Sequence, residues 1–177
     1  MPEAPVNSDH VSKETEWYAV QTRAKHERKV GAELQRKSIT TYVPTIREVH
    51  RWSDRRAVVD VPLFPCYAFI RASLTATLRL ATLQTAGVLK FVGFNKGPAP
   101  IPDSQMDSVV AVLSHNVPFS SCGFITVGKR VRIRGGALDG VEGVLVGRNG
   151  DRRLIVSIEL IQQSLEVVIE GYDVEPV

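Results

Sequence analysis

Side chains able to attack a carbonyl, relay a proton or hold a metal occur in this 177-residue chain but are not gathered. His10, His26, His50 and His115 stand in unrelated segments, and neither Cys66 nor Cys122 belongs to a paired-cysteine metal spacing. No serine or cysteine sits in a nucleophile elbow, and no carboxylate pair is tied to a pocket-forming motif. Neither catalysis nor a metal or cofactor is expected, and both cysteines are read as free thiols. What the residues offer instead is recognition, first of anions. Arg23, Lys25, Arg28 and Lys29 crowd one segment and Arg51, Trp52, Arg55 and Arg56 another. Such clusters contact phosphate, with Trp52 as a surface for base stacking; a solvated basic surface is the alternative. Residues 13 to 56 hold 11 Lys/Arg against 6 Asp/Glu, whereas residues 125 to 177 hold 7 against 8, so the basic surplus belongs to the N-terminal half.

The second kind of recognition is apolar. Along residues 64 to 71, Phe64, Cys66, Ala68 and Ile70 alternate with Pro65, Tyr67, Phe69 and Arg71, so both faces of a strand here carry large apolar groups. In a sheet covered by helices on one side, the other face should be mainly polar. Aromatic groups there imply a partner, or else a loop or second domain of the same chain. A third grouping, Gly135, Gly136, Gly140 and Gly143, is not a phosphate cradle, since no Gly-Lys-Ser/Thr follows; tight turns explain it.

These residues need elements to hold them. Residues 1–15 are rich in Pro, Ser and charge, with no apolar period, and read as a flexible tail. Trp17 to Gln21 reads as a strand, followed by a helix from about Arg23 to Lys37 with Thr22 as its cap and Val30 and Leu34 inward. Arg23 and Lys25 at such a helix start oppose the helix dipole, so helix stability does not explain them. Thr41 to Val49 and Ala57 to Leu63 form a hairpin with a basic tip at His50 to Arg56. Cys66 to Arg71 is a strand, Leu74 to Thr85 a helix ended by Gly87, and Val88 to Gly93 a strand. After Pro98, Pro100 and Pro102, Asp103 caps a helix with Met106, Val109, Val110 and Leu113 on one face. The order is that of an α+β, split β-α-β domain, with an antiparallel sheet and helices on one face. The pattern lapses from His115 to Gly123. Beyond it, Arg130 to Arg134, Val141 to Gly147, Leu154 to Ile158 and Leu165 to Ile169 read as strands of a small β-barrel.

The segments WYAVQTRAKHERKV, PLFPCYAFIR, AGVLKFVGF with PAPIP, and VGKRVRIRGGALDGVEGVLV resemble, in that order, the N-terminal and KOW domains of NusG-like proteins. The resemblance implies a ferredoxin-like N-terminal domain at residues 16–115, a linker at 116–123 and an SH3-like KOW barrel at 124–177. It implies a non-enzymatic transcription elongation and antitermination factor whose first domain docks on the clamp helices of the largest subunit of bacterial RNA polymerase. The matching positions are Leu63, Phe64, Tyr67 and Phe69. Where some specialised members place another aromatic, this chain has Gln21, which makes that part of the patch more polar. The resemblance puts the basic clusters near non-template DNA or nascent RNA. It also places Leu138, Val141 and Ile161 where a small-subunit ribosomal protein or Rho is met, unless they are barrel core. Trp17 is read as core.

The PLFPCYAF wording and compact linker look closer to specialised RfaH-like or UpxY-like antiterminators than to housekeeping NusG, which acts in general elongation and Rho-dependent termination. A KOW-type RNA- or ribosome-binding protein is the remaining alternative. Dense Val and Ile with glycine turns predict that the second domain rests as β-structure rather than a helical hairpin. No stretch reaches the roughly 18 apolar residues of a membrane span, and a cytoplasmic monomer is expected.

Overall fold

The computed structural model of the protein describes residues 14–51, 56–94, 97–115, 117–124, 128–148 and 151–177. The aromatic and β-branched run near the N-terminus forms β1 (Glu16–Thr22), followed by α1 (Glu27–Arg36), β2 (Thr40–Tyr42), β3 (Thr45–Arg51), β4 (Arg56–Pro62) and β5 (Tyr67–Ala72). Next come α2 (Ala76–Leu83), β6 (Val88–Phe91), β7 (Gly93–Phe94), β8 (Gly97–Pro98), β9 (Pro100–Ile101) and α3 (Asp103–Ser114). The main sheet runs β2-β5-β1-β6, with β9 also paired to β1. α1 lies in the connection from β1 to β2, which skips over β5, and α2 in that from β5 to β6, which skips over β1.

The two sheet faces are covered differently. Tyr18, Val20, Ala68 and Ile70 pack with Val30 and Leu34 of α1, and with Ile39. Trp17, Ala19 and Phe69 point the other way, into a cluster that includes Met106, Val109 and Val112 of α3. This corrects the one-sided layer expected from sequence: β1 and β5 are apolar on both faces, and α3 helps to bury the second.

Local starts also shift. Thr22 stays in β1, donating its amide to Cys66 O at 2.8 Å, and Arg23 N donates to Gly87 O at 2.8 Å. With Lys25 at φ 64°, the helix starts only at Glu27, so Thr22 is not its cap. α2 is capped by Thr75, whose side chain accepts from Leu78 N. Asp103 is the first residue of α3 rather than its cap. On α3 the buried face includes Ser108 and Val112, while Val110 is 37% exposed. The expected stripe is rotated because a second unit packs along the helix.

β3 and β4 form a separate two-stranded ribbon from Thr45↔Pro62 to Arg51↔Arg56. The run expected as one strand from Thr41 is interrupted at Val43 and Pro44.

The second unit comprises β10 (Phe119–Gly123), β11 (Lys129–Arg134), β12 (Glu142–Arg148), β13 (Asp151–Ile158), β14 (Gln163–Val168) and β15 (Asp173–Pro176), with 3₁₀ turns at Gly136–Leu138 and Glu159–Ile161. The antiparallel order is β10-β14-β13-β12-β11-β15. β10 corrects the linker reading of residues 116–123: despite its small polar residues it pairs with β14 from Phe119↔Val167 to Gly123↔Gln163. β15 was likewise not anticipated from the sequence. At Gly143 a Cβ would lie 2.4 Å from Ile155 O, so only glycine lets β12 and β13 approach this closely. No helix among the described residues is long and apolar enough to cross a membrane.

Candidate functional site

The apolar candidates lie in the turn between β4 and β5, at Leu63 and Phe64, and at the start of β5, at Tyr67 and Phe69. Leu63 is anchored by its amide to Pro44 O at 2.8 Å, and Tyr67 N donates to Phe64 O at 3.2 Å. Phe64 and Phe69 meet edge to face, with centroids 5.9 Å apart and planes at 81°; such pairs contribute about 0.5–1.5 kcal/mol beyond area burial. Leu63, Phe64 and Phe69 are buried, and Tyr67 is half-buried. Of the two sources of cover left open by the sequence, the chain itself provides it here. Trp17 is buried beside them as core, edge-on to Tyr42 at 6.5 Å, with the Arg71 guanidinium 5.7 Å from its ring centroid. Arg71 is held in turn by Asp103 at 3.3 Å. Gln21 is half-buried, opposite Tyr67 in the sheet.

The basic candidates are arranged in the opposite way. Arg23, Lys25, Arg28, Lys29 and Arg56 are all exposed. Arg23 and Lys25 belong to the loop before α1 rather than to the helix. Arg28 shares a shallow groove with Gln35 of α1 and with Tyr42, Val43 and Thr45 at the ribbon's base, which links the helix cluster to the ribbon. Arg51 pairs with Arg56 at the ribbon's far end, whereas Trp52 and Arg55 lie outside the described residues.

Between these groups sits a residue that sequence reading passed over. Glu27 is only 3% exposed, and its carboxylate accepts from Cys66 N at 2.7 Å and from Lys25 N at 3.3 Å. The available signal was a lone acid in the first turn of a basic helix, where the helix dipole favours it.

In the second unit, Leu138, Val141 and Ile161 are buried. Gly135, Gly136 and Gly140 take φ of 77°, 71° and 83°, which lets the loop fold Leu138 inward. The apolar cluster runs on from the first sheet through α3 into this unit. Among the described residues two hydrogen bonds cross the seam: Glu142 N donates to Ser108 Oγ at 3.2 Å, and Glu159 N to Gln105 Oε1 at 3.1 Å. Neither Gln105 nor Ser108 was singled out in the sequence, because a polar residue on a helix face carries no mark of the surface it meets. Arg130 pairs with Glu159 at 3.5 Å near the same seam. Arg134 bonds Glu175 and holds its carboxyl below the usual range. Burial, then the Glu166 charge, pushes the free Cys122 thiol up. No group of three or more metal-ligating side chains occurs among the described residues.

Residues 15–110 match the family model described as transcription termination factor nusG. The transcription termination/antitermination protein NusG of Lactococcus lactis subsp. lactis is 24% identical over 182 residues, covering 94% of this chain and 96% of that protein. The protein of the same name from Borreliella burgdorferi is 24% identical over 183 residues, covering 91% and 98%. A solved structure concerned with domain interaction in Thermotoga maritima NusG aligns at TM-score 0.52 and 19% identity, over 93% of this chain and 98% of that one, a likeness of fold.

Proposed function

Because the chain belongs to the NusG family of transcription termination and antitermination factors, we propose that it binds the clamp helices of bacterial RNA polymerase and promotes processive elongation and antitermination on particular operons. The family consists of transcription factors, not enzymes. The observation that carries the docking proposal is the aromatic turn Leu63 to Phe69, with Tyr67 left half-buried at its edge. Aromatic anchors of this kind suit a contact with a helical partner. The exposed basic loop and ribbon then face the non-template strand or nascent RNA.

The order β2-β5-β1-β6, with two skipped crossovers, supports a ferredoxin-like reading of the first unit. Six short strands with glycine turns support a KOW-type, SH3-like barrel for the second. Its Leu138, Val141 and Ile161 meet a ribosomal protein or Rho. Since the apolar residues assigned to both partners are buried in one cluster, engagement requires the second unit to leave α3. The factor works as a cytoplasmic monomer.

A second reading, general elongation and Rho-dependent termination, is favoured by the termination/antitermination names of the two relatives, each aligned over more than nine-tenths of the chain. Copurification of the full chain with core RNA polymerase tests the docking. Wild type is retained and Tyr67→Ala, with unchanged melting, is lost; absence of wild-type binding removes the proposal. Genome-wide readthrough in a deletion strain separates the two readings, as effects on a few operons support the first and broad effects the second.

A further inference from the structure

Resting on that reading, we propose that Glu27 is a positioning residue that holds the polymerase-facing turn and the nucleic-acid-facing loop in one fixed relation. A carboxylate among Lys25, Arg28 and Lys29 would ordinarily stay at the surface beside a cation. Here those basic side chains are exposed and the acid is turned inward, 3% exposed. Its Oε1 accepts from two backbone amides, Cys66 N at 2.7 Å and Lys25 N at 3.3 Å.

Both donors belong to residues in the left-handed region, Cys66 at φ 68° and Lys25 at φ 64°. Non-glycine residues persist there only where the surroundings hold them, and this carboxylate is the group common to both. Cys66 closes the turn that carries Leu63 and Phe64 and leads into Tyr67 and Phe69. Its carbonyl accepts from Thr22 N at 2.8 Å, which ties that turn to the end of β1. Lys25 lies between Arg23 and Arg28. One buried anion therefore fixes the spacing of two surfaces that must meet polymerase and nucleic acid together. A factor preset in this way loses less freedom on binding than one whose two surfaces move independently.

The test uses the full chain as wild type, Glu27→Ala, Glu27→Gln and Leu34→Ala. Leu34 is fully buried on the same helix and packs in the cluster beneath it, so its truncation controls for general loss of stability. All four are measured below their melting transitions, for amide hydrogen exchange at Lys25 and Cys66 and for affinity to core RNA polymerase. Glu27→Ala, which removes both acceptor contacts, should speed exchange at both amides and weaken polymerase binding about tenfold. Glu27→Gln, which keeps an acceptor oxygen but not the charge, should restore part of both, and Leu34→Ala should leave polymerase affinity unchanged. Wild-type affinity in Glu27→Ala, or an equal loss in Leu34→Ala, overturns the positioning role while leaving polymerase docking intact. A wild-type chain that does not bind polymerase overturns the docking reading itself, and this proposal with it.

Discussion

The two surfaces proposed for recognition in the first unit differ in what the rest of the chain does with them. Arg23, Lys25, Arg28 and Lys29 stand exposed around the start of α1, whereas Leu63, Phe64 and Phe69 are buried beneath the chain's own apolar groups. Charged side chains lose hydration when covered, so they stay outside and can meet phosphate in this conformation. Apolar ones gain by any cover available and are satisfied internally until a partner offers a better one. On the proposed reading, the basic surface is thus ready at all times, while the apolar surface in the same factor is conditional on rearrangement.

That contrast is most strongly tested by truncation. Phe69→Ala should cost about 3–5 kcal/mol in urea unfolding, as expected of a fully buried aromatic. Arg28→Ala should stay within about 0.5 kcal/mol. Comparable losses would break the distinction between a buried and a free surface.

The conditional part is sharpened at the seam. Removing both cross-unit hydrogen bonds with Gln105→Ala and Ser108→Ala should weaken closure by about 2 kcal/mol, at roughly 1 kcal/mol per bond. Small-angle scattering would report a larger radius of gyration, and polymerase affinity should rise. An unchanged radius together with unchanged affinity would mean that the seam does not limit docking.

The ready surface is probed by charge. Arg28→Glu with Lys29→Glu should lower the salt dependence of nucleic-acid binding by about one to two counterions, since each phosphate contact contributes roughly 0.7 to a single-strand slope. Melting should be unaffected. Unchanged promoter-distal readthrough would remove the nucleic-acid role.

A pH-dependent effect lies on the helix-covered face. Tyr18 donates to Glu16 Oε2 at 2.7 Å, and burial, then that bond and the Glu16 charge, push its phenol from 10.0 up to about 12. The fold therefore favours the neutral phenol: this contribution is complete below pH 10 and is lost as pH rises through about 12. Tyr42, also raised by burial, adds to the same decline. Urea midpoints measured from pH 8 upward should fall across that window, and Tyr18→Phe should flatten most of the fall.

Much of the frame was legible from local signals. The Val30 and Leu34 spacing marked α1, the prolines before Asp103 marked the start of α3, and Val-rich runs between glycines marked β11 to β14. These are near-neighbour properties, set by dihedral preference and by where apolar residues recur. The start of α1, by contrast, was decided by Cys66 and Gly87, whose carbonyls draw Thr22 and Arg23 into sheet-like bonding from far along the chain. Phe119 to Gly123 looked like a linker because its strand character comes from pairing with β14, not from its own polar side chains.

The sequence alone determined the family, the order of elements and the chemistry on offer, because residue type and spacing encode these directly. Only the tertiary structure decided that Glu27 turns inward, that α3 lies against both units and that the aromatic turn is covered. Each of these depends on groups distant in sequence competing for the same buried space, and burial is a property of the packed whole.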